Sequence, residues 1–195
     1  MKRAISAFLA AVVLALNFAA CDSSPKATSA SEFKWKEKGD GYWVGAYIGD
    51  SKDVVIPSKV NGKPVTGIKI MAFSRSEIET LTIPDSVVTI EDSAFEYCTS
   101  LKHITFGKNV EQAFNTICKG CENLESITFT GNVKVIGYTV FFYTNLKTVT
   151  FCGDKMPTIY EFPFPKGTEV RYKKGVNGWN EFEKKYEGKY TFVQF

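Results

Sequence analysis

Three sets of side chains in this sequence could do chemistry. His103 is the single histidine. An imidazole works as a base or a metal ligand only beside partners within hydrogen-bond reach, and no Ser–His–acid or metal cluster can be assembled around it from the sequence. It stands between apolar Leu101 and Ile104 and reads as an exposed surface position. Cys98, Cys118, Cys121 and Cys152 form the second set. Cys118-x-x-Cys121 is half of a zinc motif, but a zinc site takes four ligands and no histidine lies near, so no metal is expected. A Cys98–Cys121 or Cys118–Cys121 disulfide is one alternative. Buried free thiols are the preferred one, since free cysteine packs as a small apolar group. The third set is acidic. Glu77, Glu79, Asp85, Glu91, Asp92 and Glu96 crowd the stretch between Ser76 and Leu101, which holds no basic residue. Paired carboxylates around Glu91-Asp92 would suit a hydrolase. Neither a nucleophile with its base nor a glycine loop for phosphate accompanies them, so no enzyme is expected and no cofactor is implied.

The element that positions these residues is a repeat. Residues 82–104 and 105–127 are each twenty-three long and agree column by column. Ile83 aligns with Phe106, Val87 with Val110, Ala94 with Ile117, Cys98 with Cys121, Leu101 with Leu124, and Ile104 with Ile127. Residues 128–149 form a copy one residue shorter, with Phe129, Val133, Ile136, Val140, Phe141, Leu146 and Val149 in those columns. A looser copy supplies Val65, Ile68, Ala72, Phe73, Ile78 and Leu81, and a partial one begins at Thr150-Phe151. Apolar columns at a fixed period cannot be buried within one unit; stacked units bury them as one continuous core. The stretch after each Leu alternates apolar and polar, as in Ile104-Thr105-Phe106, which predicts a half-buried strand. The middle of each unit is too short for more than about one helical turn. The expectation is a right-handed solenoid with a parallel β-sheet on one face, short turns or single helical turns elsewhere, and a cap at each end.

The pattern Ile-Pro-x-Ser-Val-x-x-Ile-x-x-x-Ala-Phe-x-x-Cys-x-x-Leu-x-x-Ile at 83–104 resembles the BspA-like leucine-rich repeat of bacterial cell-surface proteins. The segment 53–68 resembles the way such arrays begin, and the likeness runs from about Val44 to Phe151. It implies the fold, and a cysteine of the core in the column of Cys98 and Cys121. The family spans adhesins, host-protein binders and members of unknown role, so the resemblance does not settle a ligand. At the other end, Lys2 and Arg3, an apolar run over 4–16 and small Ala19-Ala20 have the layout of a secretory signal. Phe18-Ala19-Ala20-Cys21 resembles a bacterial lipobox, which implies a lipid anchor on Cys21 and a place in the cell envelope, at the outer membrane or cell surface. The expected organisation is a signal peptide over 1–20, a lipidated cysteine and flexible tether over 21–32, and an N-terminal capping hairpin over 33–53. Repeat coils over 54–156 and a C-terminal cap over 157–195 follow.

Two outward columns of the expected sheet carry mostly hydroxyls: Thr80, His103, Ser126 and Thr148, then Thr82, Thr105, Thr128 and Thr150. A flat hydroxyl ladder can hydrogen-bond a sugar or a peptide backbone, although threonine also suits any exposed strand. The chain past Pro165 is basic, which suggests contact with an acidic partner or ordinary solvated faces, the latter preferred. With a net charge of +3 and no basic stripe, no nucleic-acid partner is expected. Phe141-Phe142-Tyr143 and Phe162-Pro163-Phe164 are expected to pack beneath the C-terminal cap, with Phe142 and Tyr143 the candidates for an exposed anchor. The function that follows is binding or adhesion through the repeat surface, to a host protein, a glycan or a bacterial surface partner. A structural or assembly component of the envelope is the alternative.

Overall fold

Each repeat closes one coil of a solenoid, and the coils stack along a single axis. The computed structural model describes residues 25–113, 116–160 and 163–195. The expected signal peptide, Cys21 and Phe162 lie outside the described residues. In chain order the strands are β1 (Phe33–Lys38), β2 (Gly41–Tyr47), β3 (Asp53–Val55), β4 (Lys59–Val60), β5 (Lys63–Ile68), β6 (Thr80–Thr82), β7 (Thr89–Ile90) and β8 (His103–Phe106). They continue as β9 (Gln112–Ala113), β10 (Ser126–Phe129), β11 (Val135–Ile136), β12 (Thr148–Phe151), β13 (Thr158–Ile159), β14 (Glu169–Tyr172) and β15 (Thr191–Gln194). An α-helix, α1 (Trp179–Lys185), precedes β15, and a short 3-10 turn (Ala30–Glu32) precedes β1.

The principal sheet has seven strands in the order β15-β14-β12-β10-β8-β6-β3, every neighbouring pair parallel. Its register matches the repeat columns: Leu81 faces Ile104, Ile104 faces Ile127, and Ile127 faces Val149. These inward side chains are at most 1% exposed. β-Branched residues suit the pleat, and alternation sends the intervening threonines to solvent. The next inward column is aromatic. Phe106 stacks on Phe129 with ring centroids 4.8 Å apart, and Phe129 on Phe151 at 5.4 Å. On a second side β9, β11 and β13 form a small parallel sheet.

The third side is built from tight turns joined coil to coil by backbone bonds. Phe95 N–H donates to Ile117 O (3.0 Å), Tyr97 N–H to Lys119 O (2.9 Å) and Gly120 N–H to Phe142 O (3.0 Å). Each turn holds two residues in the left-handed region four positions apart: Met71 and Arg75, Ser93 and Tyr97, Thr116 and Gly120, Thr139 and Tyr143. Only one of these eight is glycine, and each of the others costs about 1–3 kcal/mol. Of the short turns or single helical turns expected here, the structure has short turns, each a left-handed double bend.

Both ends differ from the expected boundaries. Part of the stretch expected to be a tether is tied down: Thr28 N–H donates to Val55 O, and Val55 N–H donates to Thr28 Oγ1, each at 2.9 Å. Glu32 then accepts bonds from Tyr47 Oη and Ser51 Oγ, both 2.9 Å. β1 and β2 make the antiparallel capping hairpin, and β2 joins the stack by pairing parallel with β5. At the far end the sheet does not stop at 156. β14 and β15 add two further parallel rungs, with Val149 facing Val170 and Val170 facing Phe192. Strand alternation persists in β14 while the Ala-Phe-x-x-Cys turn does not, because α1 takes the turn's place. Trp179 of α1 stacks on Tyr172 at 4.6 Å and lies 5.1 Å from Phe151, closing the core.

Candidate functional site

The outer face of the principal sheet carries all eight residues expected to bind. Thr80, His103, Ser126 and Thr148 are in register across β6, β8, β10 and β12, and so are Thr82, Thr105, Thr128 and Thr150. His103 is exposed and the other seven are half-buried between their neighbours. The first column is partly self-bonded. Thr80 Oγ1 donates to Asp53 Oδ1 at 2.7 Å, and His103 Nδ1 and Ser126 Oγ lie 2.7 Å apart. The second column, Thr82-Thr105-Thr128-Thr150, continues into Val55 on one side and Arg171 on the other. Arg171 is held in an ion pair with Glu169 on its own strand.

The cysteines serve the core. Cys98, Cys118 and Cys121 are free and wholly buried, and Cys152 is free and half-buried. Cys98 Sγ donates to Phe73 O (2.9 Å) and Cys121 Sγ to Phe95 O (3.0 Å), the same bond one coil on. The hydrogen bond with Cys121, followed by burial, pushes the Cys98 thiol well up; contact with Cys118, ahead of burial, raises Cys121. The reactive form of a cysteine is the thiolate, so these thiols are poor nucleophiles. Alkylation of the native protein should therefore spare Cys98, Cys118 and Cys121, which react only on unfolding. Peptide mapping after iodoacetamide treatment with and without denaturant checks this, and native labelling of Cys98 or Cys121 would contradict it.

The acidic stretch proves to be half of an ion-pair lattice. Lysines lie about one period from the acids, which is why a linear reading sees an unrelieved acidic run. Lys102 Nζ meets Glu79 at 2.6 Å, Lys108 meets Asp85 at 3.4 Å, and Lys119 meets Glu96 at 3.3 Å. Lys52 and Lys69 pair with Glu77 and Glu91 in the opposite sense. Glu91 also accepts the Ile70 N–H at 2.9 Å, so it fastens a turn and does not lie ready as one of a catalytic pair. Such exposed pairs are worth about 0–1 kcal/mol each.

The aromatics correct one expectation. Phe141 is buried against Phe164 (5.8 Å), but Phe142 and Tyr143 do not pack beneath the cap. They are 49% and 68% exposed, on the turn side of the solenoid. Their exposure follows from the turn: only positions 140, 141 and 144 point inward, and Tyr143 takes the left-handed position whose side chain leaves the coil.

The comparisons with known proteins agree with this architecture. Residues 50–170 match the BspA type leucine-rich repeat region in six copies, and the chain belongs to that family. It is similar in fold to a leucine-rich-repeat protein of T. pallidum, with 21% identity and a TM-score of 0.61 over 87% of this chain and 100% of that one. A leucine-rich-repeat protein from Bacteroides capillosus is 27% identical with a TM-score of 0.56, over 64% of this chain and 96% of the other. One from Bacteroides ovatus is 18% identical with a TM-score of 0.54, the match covering 77% of this chain and 49% of that one. No curated protein matches the sequence.

Proposed function

We propose that this chain is an envelope lipoprotein whose repeat domain binds a protein or glycan partner across the outer face of its principal sheet. The observation that carries the reading is the in-register ladder of small hydroxyl side chains over β6, β8, β10 and β12. Such a surface presents hydrogen-bonding groups at a repeat of about 4.8 Å from strand to strand. An extended partner can lie flat on it without displacing bulky side chains. Membership of a repeat family is consistent with a binding module. The anchor rests on the lipobox-like Phe18-Ala19-Ala20-Cys21.

Two variants test the face. Thr105→Lys and Thr128→Lys leave the inward Ile104, Phe106, Ile127 and Phe129 in place, so folding should survive. A long cation should abolish capture of a partner recovered from host extract or a glycan array. Gln112→Lys, on the other sheet, should retain it. Unchanged affinity in both threonine variants would remove this face from consideration. For the anchor, Cys21→Ala should move the protein from the detergent phase to the aqueous phase on Triton X-114 partitioning. Equal partitioning of variant and wild type would refute lipidation.

A further inference from the structure

The principal sheet ends on β15, and this edge lacks the protection found on β3 and β1. Among the described residues β15 pairs with β14 alone. Thr191 N–H donates to Thr168 O at 3.1 Å, Phe195 N–H to Tyr172 O at 3.2 Å, and Lys174 N–H to Phe195 O at 2.9 Å. In a parallel ladder every second residue of a strand bonds to the same neighbour, so the N–H and C=O of Phe192 and Gln194 turn to the free side. The opposite edge of the sheet, β3, is closed by Thr28, whose N–H donates to Val55 O. β1, the outer strand of the capping hairpin, carries Lys34, Lys36 and Lys38, and lysines on an edge deter pairing with another chain. β15 reads Thr-Phe-Val-Gln, with neither charge nor proline. Its backbone is free to take a further strand.

The core is unfinished at the same edge. Its inward column runs Leu81, Ile104, Ile127, Val149, Val170 and Phe192. The first five are at most 1% exposed, whereas Phe192 is only half-buried. Phe192 and Tyr190 line a groove of about 470 Å³ whose other walls are Glu183, Lys184, Glu187 and Gly188. A strand added to β15 would set one inward side chain against Phe192, as each rung does to the one before it. Charge narrows the partner further. Gly167 N–H donates to Lys189 O and Lys174 N–H to Phe195 O, so Lys166 and Lys189 flank the start of β15 and Lys173 and Lys174 its end. Lys166, Lys173 and Lys174 are exposed and have no ion-pair partner among the described residues. The acids of this end lie elsewhere: Glu169 holds Arg171, Glu183 accepts from Tyr172 Oη, Glu181 is in the first turn of α1, and Glu187 stands in the groove wall. Both ends of β15 are therefore basic and its middle is uncharged. A second copy laying its own β15 here across a two-fold axis would bring lysines against lysines.

We propose that the free edge of β15 is a strand-addition site for an extended peptide of a protein partner, apolar where it meets Phe192 and acidic on both flanks. Backbone hydrogen bonds supply the binding in this mode, and the groove and the flanking lysines supply the selection. The site is separate from the threonine ladder, and neither needs the other. The test is fluorescence anisotropy of a labelled peptide, Asp-Glu-Thr-Val-Thr-Val-Thr-Glu-Asp, titrated with the purified chain, beside a peptide in which lysine replaces each acid. The acidic peptide should bind, added salt should weaken it, and the lysine peptide should not bind. Gln194→Pro removes a donor from the free edge and leaves the bonds of Thr191 and Phe195 to β14 in place. It should weaken binding by at least about tenfold, whereas Gln194→Ala, which keeps the N–H, should bind as wild type does. Lys173→Glu combined with Lys174→Glu should also weaken the acidic peptide, and Gln112→Lys should not. Thermal melting shows that each variant is folded. Methylating the amide nitrogens of the peptide should abolish binding and tests the backbone pairing with the protein unaltered. The proposal is overturned if the acidic peptide does not bind, if the lysine peptide binds equally well, or if Gln194→Pro and the methylated peptide bind unchanged. A dimer seen by sedimentation and dissolved by Gln194→Pro, with no peptide bound, would overturn it in favour of a second copy at this edge.

Discussion

Leu124→Ala is expected to lower the free energy of unfolding by about 2–5 kcal/mol, the range for a large-to-small change in a closed core. Leu124 is 0% exposed and shares its column with Leu101 and Leu146, also buried. Coils on both sides are held by backbone hydrogen bonds through this corner, with Glu125 N–H donating to Lys102 O and Lys147 N–H to Glu125 O. The cavity therefore cannot collapse by moving one coil alone. Glu122→Ala, exposed two residues earlier, should change stability by no more than about 0.5 kcal/mol. Urea denaturation followed by circular dichroism compares the two, and coincident midpoints would mean that the column assignment is wrong.

Gly107→Ala should be nearly as damaging for the opposite reason. Gly107 is buried at the corner after β8, where a Cβ would come 2.5 Å from Pro84 C and O and 2.7 Å from Asp85 N. Those atoms are backbone of the preceding coil, and the proline ring limits how far they can yield. One methyl group must then pry two coils apart, at a cost of about 1–3 kcal/mol. A denaturation midpoint indistinguishable from wild type would show that the coils do not approach so closely here.

The sequence reveals the solenoid because burial repeats: the same columns that align Ile104 with Ile127 and Phe106 with Phe129 are hydrogen-bonded neighbours in the sheet. Features that depend on pairs a full period apart are harder to read. Lys102 and Glu79 look unrelated along the chain, yet they touch. The rungs at β14 and β15 lose the Ala-Phe-x-x-Cys signature, so the recognisable repeat ends before the sheet does. The outward rings of Phe142 and Tyr143 were ambiguous because an aromatic run signals burial as readily as display. Only the left-handed turn at Tyr143 decides its direction, and no residue type in that column announces it. The threonine ladder was legible as a face, whereas its partly self-bonded first column, from Asp53 to Ser126, was not.

The column just before β3, β6, β8, β10 and β12 reads Lys52, Glu79, Lys102, Glu125, Lys147, so its sign alternates over those coils. Lys102 bonds to Glu79 and is also drawn to Glu125, while Lys147 closes on Glu125 at 2.5 Å. Deleting residues 105–127 would preserve every apolar column but set Lys102 beside Lys147, two like charges where opposites met. Deleting two adjacent coils would restore the match. At this column the array therefore accepts the loss of a coil pair more readily than the loss of a single coil, by the margin of an exposed ion pair, about 0–1 kcal/mol.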